Sequence, residues 1–263
     1  MTVLTGRTAL VLGGAQGIGS ATAIALSQAG ARVWVGDLRL PDDASCSEIA
    51  YEQMDATCES EVYRVVNNIV ATEGRIDVLV NNVGRGWRSS ILDTTIDDFY
   101  AILDANLKSA FIGCRTVLPH MLKQESGSIV NMSSNGGLIG RSNDPVYSAA
   151  KHAVIGLTKS LAVRYAQSGV RVNAVCPGPI DTPAFRRGAD TKEEFEEKLP
   201  SMLSSCPAAR VGRASEVADA VVFLSGDSSS FVTGVSLAVD GGKAAGIMPD
   251  ERYNLEAVTD SLP

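Results

Sequence analysis

Tyr147 and Lys151 are four residues apart, and Ser134 lies thirteen residues before the tyrosine. On a helix, positions i and i+4 project from the same face, so an ammonium would lie beside a phenol. The positive charge favours the phenolate and is expected to lower the pKa of the phenol from about 10. Such a phenol can exchange a proton with an alcohol or carbonyl oxygen. The spacing predicts acid–base chemistry on a C–O group, although a tyrosine packed over a lysine stem is the commoner meaning of such a pair.

The elements that would position these residues follow a regular alternation of short apolar runs and amphipathic stretches. This alternation predicts an α/β fold with a doubly wound parallel sheet and helices on both faces. No break in composition divides the chain, so we expect a single domain over residues 1–263, with an irregular segment at 181–213 and a tail at 243–263. Strands are predicted at Thr8–Leu12, Val33–Val35, Ile76–Val80, Ser128–Met132, Val170–Val175 and Val235–Val239, and helices at Gly17–Ala29, Glu59–Thr72, Thr95–Leu118 (ended by Pro119), Pro145–Gln167 and Ser215–Ser225.

The composition excludes several classes of protein. A net charge of −7 argues against a general nucleic-acid binder. No apolar run approaches the ~20 residues of a membrane span, and the N-terminus lacks a signal-peptide pattern, so we expect a cytoplasmic protein with no membrane partner. The five cysteines form no Cys-x-x-Cys pair and the two histidines have no partner at metal-ligand spacing. We therefore expect buried thiols and no metal site.

A glycine-rich stretch connects the first predicted strand to the first predicted helix. Glycine permits positive φ and a close approach of the backbone to a ligand, and free N–H groups at a helix start favour an anion. A tight turn that needs glycine only for packing is the alternative, but this position favours dinucleotide binding. The candidate contacts are Gly13, Gln16, Gly17, Ile18 and Gly19.

Asp37 ends the second predicted strand, where the adenosine ribose of a dinucleotide is expected. A carboxylate there can accept hydrogen bonds from both ribose hydroxyls and repels a 2′-phosphate, which favours NAD over NADP. Arg39 weakens this preference because it could reach a phosphate, whereas the neutral Gln16 adds no positive charge. A solvated acid at a strand end is the alternative interpretation.

Together these residues resemble the short-chain dehydrogenase/reductase family, specifically its short single-domain branch with a Rossmann-like fold. The resemblance runs from about Thr5 to Gly242, nearly the whole chain. The family's motifs match, in order, Gly13-x-x-x-Gly17-x-Gly19, Asp55-Ala56, Asn81-Asn82-Val83-Gly84, Asn106, Ser134, Tyr147-x-x-x-Lys151, Pro177-Gly178-Pro179-Ile180-Asp181-Thr182, Thr233-Gly234 and Val239-Asp240-Gly241-Gly242.

The resemblance implies an NAD-dependent oxidoreductase that interconverts a secondary alcohol and a ketone. It implies that Tyr147 is the general acid/base, that Lys151 lowers its pKa and bonds the nicotinamide ribose, and that Ser134 holds the substrate oxygen. Asn106 would hold a water that links Lys151 to solvent, and Thr182 would bond the nicotinamide carboxamide. The motifs add these implied cofactor contacts: Asp55, Ala56, Asn82, Gly84, Pro177, Gly178 and Ile180.

Two positions depart from the family's pattern. Leu12 stands where the family often has threonine, and we expect it to lose one hydrogen bond that braces the glycine loop. Val83 stands where the family has alanine, and we expect it to add bulk near the adenosine or ribose.

Alternative roles stay open for single residues and for the whole chain. Asn106 could instead satisfy backbone groups within a bent helix, and Thr182 could cap the irregular segment. The alternative enzyme is a 3-oxoacyl-(acyl-carrier-protein or CoA) reductase, and an epimerase or dehydratase fits Tyr-x-x-x-Lys alone. A nucleotide-sensing or scaffolding protein is the non-enzyme alternative, which has no need of Asn106, Ser134, Tyr147 and Lys151 together.

The substrate is expected to meet segment 181–213 and the loops after the fourth and fifth strands. Thr191–Lys198 is predicted to form one or two exposed helical turns of a lid. The long helices carry surplus apolar surface, which by resemblance implies a homotetramer (or homodimer), and the tail could cross to a neighbouring subunit. The expected lining is Trp87, Asn135, Leu138, Ile139, Met202 and Leu203, with five arginines, Arg85, Arg88, Arg141, Arg186 and Arg187, that suggest an anionic substrate group or are solvated surface charges.

Overall fold

Seven parallel strands form one sheet in the computed structural model, which describes residues 3–41, 48–86, 89–186 and 191–246, apart from the side chains of Lys192 and Met202. The sheet order is β3-β2-β1-β4-β5-β6-β9. The elements are β1 Thr8–Leu12, α1 Gly17–Gln28, β2 Arg32–Asp37, β3 Ile49–Gln53, α2 Glu59–Glu73, β4 Val78–Asn81, α3 Ile96–Leu103, a π-helical turn Asp104–Lys108, α4 Ser109–Gln124, β5 Gly127–Met132, α5 Pro145–Tyr165, β6 Val170–Pro177, β7 Ile180–Asp181, α6 Pro183–Arg186, α7 Lys192–Leu203, β8 Gly212–Arg213, α8 Ala214–Ser225 and β9 Ser236–Val239.

The strand order explains where a ligand can bind. From β1 the chain builds outward to β3 and then returns to place β4 on the other side of β1. The connections after β1 and β4 therefore diverge, and a crevice forms between them at the carboxyl ends of the strands. The predicted doubly wound, Rossmann-like parallel sheet is confirmed.

The central strand shows why helices cover both faces. Leu10 and Leu12 of β1 belong to one buried cluster, with apolar residues of α2 and α4. Ala9 and Val11 belong to a second cluster, with residues of α1 and α8. Because neighbouring side chains of a strand point to opposite faces, an uninterrupted apolar strand requires two helical layers.

The predicted long helix at Thr95–Leu118 is wrong in two respects. It is divided into α3 and α4 by the π-helical turn, and it does not end at Pro119, which lies inside α4. A proline inside a helix removes one backbone hydrogen bond. Here α4 continues because Met121, beyond the proline, is fully buried against the sheet, and it ends at Glu125 with φ of 52°.

Other differences are smaller. The sequence reading missed β3, an edge strand in which only Ile49 is buried, so its pattern is weak. Thr191–Lys198, predicted as one or two helical turns, belongs to a longer helix, α7, whose N-cap Thr191 accepts a hydrogen bond from the backbone N–H of Glu194. The remaining predicted strands and helices agree within about three residues. In the described part of the chain, no helix has the length and hydropathy of a membrane span.

Candidate active site

The candidate site lies along the carboxyl edge of the sheet. The glycine loop follows β1, Asn82 follows β4, Ser134 follows β5 and Gly178 follows β6. The first turns of α5 bring Tyr147 to the same region. Since all these strands are parallel, one edge collects segments that are far apart in sequence.

The glycine loop is packed so closely that side chains are excluded. A Cβ on Gly19 would lie 2.0 Å from the carbonyl oxygen of Gly13 and 2.6 Å from Nδ2 of Asn82. The Asn82 amide donates to that same carbonyl at 2.6 Å, which ties the loop to the end of β4. Gly17 has φ of +59°, and Gln16 provides no side-chain cap to α1. The first N–H groups of α1 are therefore available to an anion such as a pyrophosphate.

Asp37 braces this loop from the end of β2. One carboxylate oxygen accepts the backbone N–H of Ala15 at 3.0 Å, and the other accepts that of Arg39 at 3.2 Å. A carboxylate has about four acceptor positions, so both oxygens can still accept bonds from a ribose. The loop, the helix start and this acid fit the pyrophosphate and adenosine ribose of a dinucleotide.

The two departures from the family's pattern have different consequences. Leu12 is buried in the core, and the bond from Asn82 braces the loop beside it. Val83 packs against the loop, since its Cγ2 lies 2.9 Å from the position of a Cβ on Gly13. Val83 thus adds a second reason for glycine at position 13.

Ser134, Tyr147 and Lys151 come together as predicted. Nζ of Lys151 lies 5.8 Å from the centroid of the Tyr147 ring, and this ammonium also donates to the backbone carbonyl of Met132 at 2.9 Å. The Ser134 hydroxyl accepts the N–H of Gly136 at 3.1 Å and bonds the Asn135 side chain at 3.2 Å. Ser133 instead donates to the carbonyl of Lys151, so its hydroxyl is occupied in holding α5.

The pKa shifts differ from the sequence-based expectation. Burial raises the pKa of Tyr147 from its usual value, and hydrogen bonding to Ser134 and the charge of Arg141 lower it by less. Burial also lowers the pKa of Lys151 to about 8. The expected lowering of the Tyr147 pKa is therefore wrong.

Asn106 lies in the π-helical turn and is almost fully buried. Its amide donates to the carbonyls of Arg85 and Ile102, and its oxygen accepts the N–H of Arg85 at 3.3 Å. These are the bonds of the alternative role, in which Asn106 satisfies backbone groups in a bent helix. A Cβ placed on Gly84 would lie 2.9 Å from this oxygen and 3.1 Å from Nζ of Lys151. The asparagine and the lysine are therefore neighbours.

The remaining candidate contacts surround this crevice. Asp55 accepts both the N–H and the hydroxyl of Thr57 at 2.8 Å, and Ala56 is buried beside it. The Thr182 hydroxyl accepts the N–H of Phe185, which makes it a cap for α6. Its side chain also lies 3.4 Å from the Cβ position of Gly17, so it adjoins the glycine loop. Pro177, Gly178 and Ile180 form the connection from β6 to β7.

Sequence reasoning missed two participants of the site. The Met132 carbonyl that holds Lys151 is a backbone atom, so no residue type marks it. Cys176 is fully buried close enough to Lys151 for that charge to lower its thiol pKa, although burial raises this pKa to about 11 overall. Among the described residues, no group of histidines, cysteines and acids could hold a metal ion. Trp87, Arg88, Arg187 and the Met202 side chain lie outside the described residues.

Comparison with known proteins agrees with this geometry. A family model described as Enoyl-(Acyl carrier protein) reductase matches residues 13–244. The chain is 38% identical over 247 residues to the 3-oxoacyl-[acyl-carrier-protein] reductase FabG of Thermotoga maritima, covering 91% of this chain and 98% of that protein. It is also 38% identical over 243 residues to dehydrogenase/reductase SDR family member 6 of Aquarana catesbeiana, with the same coverage.

Solved structures agree as well. The aldohexose dehydrogenase of Thermoplasma acidophilum, in ligand-free form, superposes with a TM-score of 0.89 at 33% identity, over 95% of this chain and 98% of that one. ElxO with NADP bound superposes with a TM-score of 0.85 at 33% identity, over 91% and 99% of the two chains. The chain therefore belongs to the short-chain dehydrogenase/reductase family of oxidoreductases, enzymes that act on CH–OH groups with a nicotinamide cofactor.

Proposed function

We propose that the protein is an NAD-dependent oxidoreductase that interconverts a secondary alcohol and a ketone, with Tyr147 as general acid/base. The observation that carries the proposal is the convergence of the Ser134 hydroxyl, the Tyr147 phenol and the Lys151 ammonium beside the glycine loop. A scaffolding or nucleotide-sensing role gives no reason to bury this ammonium.

The three side chains have distinct roles in the proposed reaction. Ser134 donates to the substrate oxygen and holds it near the phenol. Burial keeps Tyr147 protonated at neutral pH, so it can give its proton to a ketone oxygen during reduction. In the oxidation direction the phenol must first lose its proton and then takes the proton of the alcohol.

Lys151 and Asn106 supply the surroundings of this proton transfer. The ammonium, which donates to the Met132 carbonyl, would bond a ribose hydroxyl and favour the phenolate once it forms. Asn106, beside Lys151, would hold the water through which protons reach solvent. A bound nicotinamide supplies the hydride chemistry, and the protein supplies placement and charge.

Asp37 is the main support for NAD. Its two oxygens stand at the end of β2 with capacity for both ribose hydroxyls, and its charge disfavours a 2′-phosphate. The other proposed contacts are Gly13, Gln16, Gly17, Ile18, Gly19, Asp55, Ala56, Asn82, Gly84, Pro177, Gly178, Ile180 and Thr182.

A second candidate is a 3-oxoacyl-(acyl-carrier-protein or CoA) reductase, favoured by the 38% identity to a protein of that name. The same catalytic side chains would serve this reaction. The solved neighbour with NADP bound shows that the fold accommodates that cofactor, whereas Asp37 argues against it in this chain.

Assembly and location are part of the proposal. A groove of about 270 Å³ between α4 and α5 is lined by apolar side chains that include Phe111, Leu118, Leu157 and Leu161. Such a face favours helix pairing between subunits, and so a homotetramer (or homodimer). We expect the enzyme to be cytoplasmic.

The test is a panel of secondary alcohols, ketones and 3-oxoacyl thioesters assayed with NAD(H) and NADP(H). The proposal expects turnover of alcohols or simple ketones with a higher kcat/KM for NAD(H). Exclusive use of thioesters with NADPH would establish the second candidate instead. Cofactor binding without turnover of any member would contradict both.

A further inference from the structure

We propose that the substrate carries an oxyanion group, a carboxylate or a phosphate, which Arg141 binds beside Ser134 of the catalytic site. The inference rests on the proposed function and names the substrate class of the same site.

The side chain of Arg141 lies beside the Ser134 hydroxyl because Gly136 has no side chain in its way. Its Cδ lies 2.7 Å from the position that a Cβ on Gly136 would occupy, and Oγ of Ser134 lies 3.6 Å from that same position. The stem of the arginine thus crosses directly over Gly136, next to Ser134. Its charge is close enough to Tyr147 to lower the pKa of the phenol. An anionic group bound to Arg141 would therefore lie near the reacting oxygen.

The guanidinium is held in this place by an ion pair. Nε of Arg141 lies 3.2 Å from Oδ1 of Asp144, a buried carboxylate at the start of α5. A guanidinium has five N–H donors in a planar fork, so one contact through Nε leaves donors for a ligand. Such a fork suits carboxylate and phosphate oxygens, which it can bind with two bonds.

Lys243 is a second cation at the carboxyl edge of the sheet. It follows β9, and its ammonium donates to the Ser205 hydroxyl at 2.7 Å, just after α7. Its side chain is partly buried, and its pKa is lowered first by burial and then by the charge of Arg141. An anion bound to Arg141 would also be attracted by this second positive charge.

Arg186, in segment 181–213, differs from Arg141 in its pairing. Arg186 makes two hydrogen bonds to the carboxylate of Asp181, at 2.6 and 2.7 Å, on an exposed surface. Its fork is already matched by a carboxylate, so it has little capacity for a substrate group. Arg186 therefore provides a control of the same residue type.

The experiment uses charged and neutral substrates of nearly the same shape. One pair is 3-hydroxybutanoate and its methyl ester, and the other is glycerol 3-phosphate and 3-methoxy-1,2-propanediol. We expect Arg141→Gln to lower kcat/KM for the preferred anion about 10- to 100-fold, the value of a charge-assisted hydrogen bond, and to change the neutral partner about threefold or less. Lys243→Gln should act in the same direction but less, Arg141→Lys should restore part of the loss, and Arg186→Gln should change neither substrate.

The two pairs distinguish a carboxylate from a phosphate. Equal use of charged and neutral partners by the wild type, or an equal loss for both in Arg141→Gln, would overturn the inference. The latter would show that Arg141 acts only on the catalytic residues.

A binding measurement keeps this test separate from the proposed function. With saturating NAD, sodium acetoacetate or inorganic phosphate should raise the Tm of the wild type, and Arg141→Gln should abolish the shift. If neither anion shifts the Tm of the wild type, the inference is overturned, even if neutral alcohols are oxidised. A shift without turnover of any alcohol would instead contradict the proposed function.

Discussion

The two halves of the sheet build their parts of the site by opposite means. Around β1 and α1, the backbone forms the surface that a cofactor would contact, and side chains are absent at Gly13 and Gly19. Around β5 and α5, the surface consists of polar side chains that are themselves buried. These include Ser134 and Lys151, which are 6% and 3% exposed.

Buried polar groups in the catalytic half are held by a continuous set of hydrogen bonds. Asn81 of β4 donates to Asn131 of β5 at 2.8 Å, and Asn131 donates to Thr158 of α5 at 2.9 Å. Gly113 of α4 allows this arrangement, because a Cβ there would lie 2.1 Å from Oδ1 of Asn81. The helix that carries Tyr147 and Lys151 is thus fixed to two neighbouring strands.

This difference predicts which substitutions should damage each half. The cofactor half should be sensitive to added volume, because its backbone atoms already touch. The catalytic half should be sensitive to the loss or charging of a polar group, because groups such as Asn131 and Lys151 are hydrogen-bonded there at a desolvation cost.

Tyr147→Phe should give the largest effect in the catalytic half. The phenyl ring keeps the packing against Ile102, Val146 and Ala150 but cannot exchange a proton. We expect kcat to fall by about 100- to 10,000-fold, the usual contribution of a general acid/base, while the Kd for NAD changes little. Steady-state kinetics and calorimetric titration of the cofactor measure the two quantities. Turnover within a few-fold of the wild type would assign the proton transfer to another group.

Gly19→Ala should give the largest effect in the cofactor half. The added Cβ meets two fixed atoms, the Gly13 carbonyl oxygen and the Asn82 amide, so the loop must shift. Overpacking of this kind costs about 1–3 kcal/mol, and we expect the loss in cofactor affinity as well as in stability. Gly86→Ala is the matched control, since nothing lies within 4 Å of a Cβ there. Equal cofactor affinity in the two variants would remove the steric account of the loop.

Features that depend on local sequence were predicted well, and features that depend on distant contacts were not. Glycine spacing and apolar alternation are local, so β1, α1 and the loop between them were predicted nearly to the residue. The closeness of Tyr147 and Lys151 was predicted from their i, i+4 spacing, and the place of Ser134 was predicted from the family resemblance. By contrast, α4 continues past Pro119 because Met121 packs on a distant sheet, and no local pattern contains that contact.

Charge environments were the hardest feature to predict. The i, i+4 spacing correctly placed Lys151 near Tyr147, yet the direction of the tyrosine's pKa shift depends on burial by the whole fold. Likewise, five arginines in sequence could not be ranked until Arg186 was seen with Asp181 and Arg141 beside Ser134. Burial and pairing are tertiary properties, and spacing alone does not determine them.

The desolvation of Lys151, in the catalytic half, should make folding stability depend on pH. Its pKa is about 8 in the fold and 10.5 for a solvated lysine, so the unfolded chain binds more protons between these values. Folding stability from this group is therefore present above pH 10.5 and is lost as pH falls to about 8. Denaturant unfolding should show the wild type gaining up to about 1.4 kcal/mol per pH unit over Lys151→Met in this window. A constant difference between the two proteins would show that the ammonium is solvated.

Asp37→Asn should give the smallest change, in cofactor choice rather than in rate or fold. Asparagine can still accept the N–H of Ala15, so the loop should keep its position and the Tm should change little. Removing the negative charge weakens one bond to the ribose, by about 1 kcal/mol or about fivefold in kcat/KM for NAD, and also relieves the repulsion of a 2′-phosphate. The ratio of kcat/KM for NAD to that for NADP should therefore fall by more than the NAD value alone. If both cofactors lose equally, Asp37 acts on the loop and not on the ribose, and the cofactor half would then select its ligand by shape alone.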